Sequence, residues 1–218
     1  MPLPTVRVVV CDPGVGNVRS VVRAVEHAIA GGAGGRSPDV VVTREPAVVR
    51  GAAYVVVPGQ GSFGAFVRGI EGGLGEALRE HLAAERPYLG ICLGMQILFE
   101  SSDEAPGARG LGILRGHVKL LTPGIDPLTA RPYALPHIGW NAVEDASSAA
   151  RAGGPPYFYF AHSYAAVPED PAITTGTTTY GDEQFASAIA RGTALGVQFH
   201  PEKSQREGLA LLTRFFRL

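Results

Sequence analysis

The apolar positions change character half-way along the chain. In the first hundred residues, short continuous apolar runs end in Asp, Gly or Pro: "VRVVVCD" (6–12), "DVVVT" (39–43), "AYVVVPG" (53–59) and "PYLGIC" (87–92). Runs without polar alternation suit strands covered on both faces, as in a parallel sheet. Between the first two, Val18, Val21, Val22, Val25 and Ile29 fall at i, i+3, i+4, i+7 and i+11, one stripe of a helix. Asn17 stands before the stripe as its N-cap, and "GGAGG" (31–35) ends it. A second helix fits 73–85, and a third starts just after Cys92. Strands and helices alternating at this spacing predict βαβ units with right-handed crossovers.

The second half is patterned otherwise. "HVKLL", "WNAVE", "YFYFAHSYAAV", "FASAIARG" and "ALGVQFHP" read as strands with short turns, some of them antiparallel. "SQREGLALLTRFFRL" returns to a helix with Leu209, Leu212 and Phe216 on one face. Segments 122–136 and 145–156 are turn-rich loops, not domain linkers. The expected architecture is one α/β domain over residues 1–218, a mixed, mostly parallel sheet between two helical layers.

Composition narrows the class. The 218 residues are 45% hydrophobic and 18% charged, enough for a substantial core. A net charge of −1 provides no electrostatic pull toward nucleic acid or an acidic membrane. Two cysteines, Cys11 and Cys92, are too few for a disulfide framework and point to a reducing compartment. The N-terminus lacks the basic region of a signal peptide, and no apolar run approaches the ~20 residues of a membrane span. A soluble cytoplasmic protein is expected.

Candidate chemistry begins at Gly90-Ile91-Cys92-Leu93-Gly94, which has the G-x-nucleophile-x-G form of a strand-to-helix elbow. There the sulfur lies near a helix N-terminus, which favours thiolate, and the Leu93 N–H is free for a developing oxyanion. The pentapeptide alone fits a buried structural cysteine equally well, since free Cys is among the most buried residue types. Cys11, without flanking glycines, reads as core.

"GVQFHPEKS" (196–204) shifts the balance. A cysteine nucleophile needs a base, and the base needs an orienting acceptor. Pro201 holds His200 extended, and on an extended segment His200 and Glu202 project to the same side. A Cys92–His200–Glu202 triad follows. "VPGQGSF" (57–63) adds a glycine turn after the third apolar run, on the sheet edge where ligands bind, and supplies the second half of an oxyanion hole. Alone it reads as an ordinary tight turn.

These three segments, in this order, resemble the class I glutamine amidotransferases, and the resemblance spans nearly the whole chain. Within that family, "DPGVGN" (12–17), "GICLGMQILFESSDE" (90–104), "PHIGWN" (136–141), "FAHSY" (160–164) and "HPEKS" are similar to the amidotransferase subunits of imidazole glycerol phosphate synthases. Relatives serving anthranilate or GMP synthesis more often read "CLGHQ" and "HPES" and typically lack "HIGWN". The chief departure is Gln60, where most members carry Val; the loop acts through its backbone, so only its flexibility is affected.

The resemblance implies L-glutamine as substrate, with Cys92 as nucleophile, His200 as acid and base, and Glu202 as its orienter. It places the oxyanion hole at Leu93 and at Gly59, Gln60 and Gly61. It assigns glutamine binding to Gln96 and Glu104, with the backbone at His162, Ser163 and Tyr164. It implies no cofactor, and as partner a (β/α)₈ cyclase subunit that receives ammonia, with Asn17 and Trp140 on the side facing it. As bare residues, Gln96 reads as an exposed helix position, Trp140 as a core aromatic and Asn17 as a helix cap. Competing readings are a subunit of another synthase such as the anthranilate type, a cysteine hydrolase of peptides or esters, and a non-catalytic regulatory subunit. No metal site is expected, because His117, His137, His162 and His200 show no zinc spacing. "DPGVGN" lacks the third glycine of a dinucleotide fingerprint.

Overall fold

The valine run of the first strand is divided between two cores. Val8 and Val10 join one buried cluster, Val9 and Cys11 the other, and none is more than 1% exposed. Successive residues of a strand face opposite ways, so an unbroken apolar run requires cover on both sides. A computed structural model supplies that cover, describing residues 5–14, 17–31, 37–145 and 153–217. Residues 15–16 of "DPGVGN", 32–35 of the glycine run and 146–152 of the second loop lie outside the described residues.

In chain order the elements begin with β1 (Thr5–Cys11), α1 (Val18–Gly31), β2 (Ser37–Thr43), α2 (Pro46–Arg50), β3 (Tyr54–Val57), α3 (Phe63–Gly69) and α4 (Leu74–Ala83). There follow β4 (Tyr88–Ile91), α5 (Leu93–Gln96), β5 (Ser101–Ser102), β6 (Gly116–Leu120), β7 (Ile125–Asp126), β8 (Arg131–Pro132) and β9 (His137–Ala142). The last are β10 (Tyr157–His162), β11 (Tyr164–Pro168), β12 (Thr174–Tyr180), β13 (Glu183–Arg191), β14 (Ala194–Val197) and α6 (Gln205–Phe215). Among the described residues the main sheet has seven strands in the order β12-β13-β14-β4-β3-β1-β2. Pairing is parallel from β2 through β14 and antiparallel from β14 to β12. Val21 and Val25 of α1 pack on one face with Leu212 and Phe215 of α6. Val49 of α2, Phe66 of α3 and Leu78 of α4 cover the other. Each fully buried side chain of this size contributes about 1.5–3 kcal/mol, which holds the three layers together.

Asn17 caps α1: its Oδ1 accepts from Ser20 N at 3.4 Å and its Nδ2 donates to Ser20 Oγ at 2.8 Å. Several expectations need correcting. The β2 strand is an edge, not a strand covered on both faces, and Val42 is 45% exposed. The helix expected just after Cys92 does begin at Leu93, as the single turn α5. The buried side of α6 is Gly208, Leu211, Leu212 and Phe215, while Leu209 is only partly buried. "YFYFAHSYAAV" is not one strand. It breaks at Ser163 into β10, paired antiparallel with β9, and β11, paired antiparallel with β6. Among the described residues no helix is long and apolar enough to cross a membrane.

Candidate active site

At the end of β4 the chain turns abruptly. Cys92 has φ 54° and ψ −109°, a region that L residues rarely occupy and that surrounding contacts must enforce. Its N–H donates to Val197 O at 2.7 Å, and its carbonyl accepts from Met95 N and Gln96 N at 3.0 and 3.1 Å. The flanking glycines are required by space. A Cβ on Gly90 would overlap the Gly94 carbonyl, and one on Gly94 would overlap the Val57 carbonyl. Gly59 is pressed against the same bend, where a Cβ would overlap that of Leu93 and stand 2.9 Å from Gly94 N. The expected neighbourhood of loop and elbow thus exists, since Val57 pairs with Gly90 across β3 and β4. Leu93 opens α5, so its N–H has no acceptor within the turn. The loop beside it holds Gly61 at φ +104°.

The C-terminal segment reaches the cysteine because β14 lies next to β4, with Val197 opposite Ile91. Beyond β14, the His200 N–H donates to Tyr159 O at 2.8 Å. Ser204 Oγ donates to His200 O at 2.6 Å and accepts from Tyr159 N at 3.0 Å, which pins the turn against β10. His200 Nδ1 donates to Glu202 Oε1 at 2.8 Å, both side chains being 2% exposed. The route differs from the extended one expected. His200 is extended, but Pro201–Lys203 forms a 3-10 turn that swings Glu202 back onto the ring.

Burial opposes a charge on His200, yet hydrogen bonding and charge from Cys92 and Glu202 overcome it and raise the imidazole from 6.5 to about 9. Nδ1 engages the carboxylate, while Nε2, on the opposite edge of the ring, is buried with no hydrogen-bond partner. A thiol, an imidazole and a carboxylate in this relation can form a nucleophile and shuttle one proton.

A cavity of about 370 Å³ opens over the sulfur. Cys92, Leu93 and His200 line it with Gln60 and Gly61 of the loop, Gln96, Glu104 and residues 162–164. Gly59 lies beneath the elbow and Glu202 behind His200, so neither lines the cavity. Gln96 is 2% exposed, unlike the surface position its helical pattern predicts. Its Nε2 donates to Tyr164 O at 2.9 Å and to Gln198 Oε1 at 3.0 Å, leaving Oε1 as its free end. Glu104 Oε2 accepts from Phe63 N at 2.7 Å, tying the loop and the start of α3 to the cavity wall. His162 Nδ1 also donates to Tyr164 O, at 2.9 Å. That carbonyl has two lone pairs, and both are engaged within the protein.

Neighbouring polar side chains escaped the sequence reading. His162 Nε2 accepts from His137 Nδ1 at 3.3 Å, and Asn141 Nδ2 lies 3.3 Å from His137 Nε2. Because Tyr164 O can only accept, His162 carries its proton on Nδ1, which dictates the direction of the whole chain. Burial lowers His162 to about 3 and His137 to about 4, so both rings are neutral struts. Gln198, 0% exposed, donates from Nε2 to Cys92 Sγ at 3.5 Å. One signal was present: Gln198 is an uncharged polar residue inside the apolar run "GVQFH".

Comparison with known proteins identifies the family. The family model for glutamine amidotransferase class-I matches residues 9–218. The chain belongs to the class I glutamine amidotransferases. Curated relatives of this amidotransferase include one from Methylococcus capsulatus, 43% identical over 96% of this chain and 95% of its own, and one from Pyrococcus furiosus, 39% identical over 97% and 99%. Both bear the name imidazole glycerol phosphate synthase subunit HisH. Among solved structures, a crystal structure of a glutamine amidotransferase aligns with TM-score 0.68 at 17% identity, over 95% of this chain and 98% of that one. PurLQS from Thermotoga maritima aligns with TM-score 0.67 at 17% identity, over 99% and 100%. At that identity the shared property is the fold.

Two further residues of this amidotransferase lie away from the cavity lining. Trp140 is not a core aromatic; it is 47% exposed on the outer face of the β9–β10 ribbon, beside Ile138 at 62%. The ribbon's inner face carries the buried His137, Phe158, Phe160 and His162. Asn17 is exposed at the start of α1, where it is the cap already described.

Proposed function

We propose that the chain is the glutaminase subunit of an imidazole glycerol phosphate synthase, releasing ammonia from L-glutamine for a (β/α)₈ cyclase partner. The observation that carries this reading is Cys92 and His200 lining one cavity with Glu202 bonded behind His200, in a chain about 40% identical to named HisH subunits over almost its full length. The sulfur attacks the side-chain carboxamide carbon of glutamine. The N–H groups of Leu93 and the 59–61 loop stabilise the oxyanion, each such donor being worth ~10²–10³ in rate. His200 gives its proton to the nitrogen, the C–N bond breaks and ammonia leaves. His200 then takes a proton from water, which attacks the thioester; the C–S bond breaks and glutamate leaves. Glu202 holds the ring and its charge throughout.

Acceptors for the substrate's α-ammonium are the free Oε1 of Gln96 and the second oxygen of Glu104. The cavity volume of about 370 Å³ accommodates one free amino acid. The exposed Ile138 and Trp140 provide an apolar docking face for the cyclase, adjoining the wall at Pro136 and Ala161. The test is co-purification with the candidate cyclase and a glutaminase assay with and without its nucleotide substrate. Cys92→Ala is expected to abolish glutamine-dependent synthesis while added ammonia still supports the complex. Retained glutaminase activity in that variant overturns the assignment.

A further inference from the structure

The carboxamide of Gln198 touches the sulfur, and its orientation is dictated from two groups away. A backbone carbonyl can only accept, so the atom of Gln96 that meets Tyr164 O, at 2.9 Å, is its amide nitrogen. The second hydrogen of that nitrogen points to Gln198 at 3.0 Å, so the atom facing it there is oxygen. The nitrogen of Gln198 is thereby turned to Cys92 Sγ, 3.5 Å away. No rotation of either amide preserves the chain. Gln198 is itself anchored, with its N–H on Ser187 O at 2.9 Å and no exposed surface.

We propose that Gln198 is a working part of the nucleophile, its N–H donating to the Cys92 sulfur and favouring the anionic form that attacks the carboxamide. The inference rests on the reading of Cys92 as nucleophile. A fixed donor has two consequences. A neutral thiol cannot aim its hydrogen at Gln198, so the S–H turns toward His200, the base that must receive it. A sulfur that carries charge gains a hydrogen bond of the charge-assisted kind, at a position only 5% exposed. The same donor meets the sulfur when the thioester C–S bond breaks and the electron pair returns to sulfur. His200 and Gln198 therefore act from two sides, one moving the proton and the other holding the charge left behind. Gln96, which lines the cavity, sets the polarity of the chain and so acts as a positioning residue for the nucleophile.

Gln198→Glu tests this with little change of shape. Once ionised, the carboxylate still accepts from Gln96 through one oxygen, while the donor facing the sulfur becomes an acceptor. Alkylation by iodoacetamide at neutral pH is expected to slow by about tenfold or more, the scale of a hydrogen bond to a charged group. Glutaminase kcat, measured in the complex with the cyclase, is expected to fall by at least about the same factor with KM little changed. Gln96→Met, which removes the anchor and part of the binding site together, is expected to lower kcat and raise KM. Gln198→Met, uncharged and of similar length, serves if the carboxylate prevents folding. Cys92→Ala is the reference: loss of alkylation and of turnover identifies the reactive thiol, and turnover retained there overturns the functional reading itself. Wild-type alkylation rate and kcat in folded Gln198 variants, with Cys92→Ala inactive, overturn the role of Gln198 alone, even if melting temperature falls.

Discussion

Cys11 and Cys92 invite comparison because they share an address. Each lies at the carboxyl end of a parallel strand of one sheet, with only β3 between those strands, and each is buried, at 1% and 5% exposure. Cys11 continues its strand, opposite Thr43 of β2, and packs into the core. Burial, reinforced by the charge of Asp12, pushes its thiol up to about 12. Cys92 leaves the strand at φ 54°, and its sulfur meets an amide donor and shares a cavity with the His200 imidazole. Burial alone therefore separates nothing. What separates a thiol packed in the core from the one proposed as nucleophile is the turn that lifts it off the sheet and the polar groups brought to meet it.

The comparison breaks most sharply by deleting each sulfur. Cys92→Ala is expected to lower glutaminase kcat/KM by about 10⁴ or more, the scale seen when a covalent nucleophile is lost. Iodoacetamide should label the wild-type chain at Cys92 and leave Cys11 unmodified, as read by peptide mapping. Gly94→Ala attacks the bend itself. Its methyl group would overlap a backbone carbonyl, which cannot move aside as a flexible side chain could. We expect ~3 kcal/mol or more of lost stability, measured by the denaturant midpoint, together with lost turnover.

A pH series sharpens the comparison further. His200 rises from 6.5 to about 9, so between those values the folded chain holds a proton that the unfolded chain has released. Its contribution to stability is complete below 6.5 and is lost as pH rises through about 9. Unfolding free energy should fall across that window by at most about 1.4 kcal/mol per pH unit, and Glu202→Gln should flatten the slope. Cys11→Ala is the smallest change: about 1–2 kcal/mol of stability from a small cavity, with glutaminase turnover retained.

Legibility followed the range of the forces involved. The four apolar runs are strands because an apolar run of that length has few other stable destinations, and Asn17 caps α1 through a bond to Ser20, three residues on. The steric need for glycines at 90 and 94 was likewise written into the pentapeptide. The short helices α2 and α3, five and seven residues long, carried too few turns for a period to show. Nothing in "YFYFAHSYAAV" announces that its halves belong to different sheets. That break depends on β9 and β6, which come from elsewhere in the chain.

The sequence by itself determined the local pieces: the buried strands, the elbow at Cys92 and the family to which the ordered motifs point. Each rests on contacts within a few residues or on backbone sterics. Only the tertiary structure decided which of two buried thiols meets partners, that Trp140 lies outside the core, and that Gln198 reaches a sulfur 106 positions away. Those outcomes depend on strand order. Placing β14 beside β4 unites residues more than 100 positions apart, and no local preference of either segment encodes that choice.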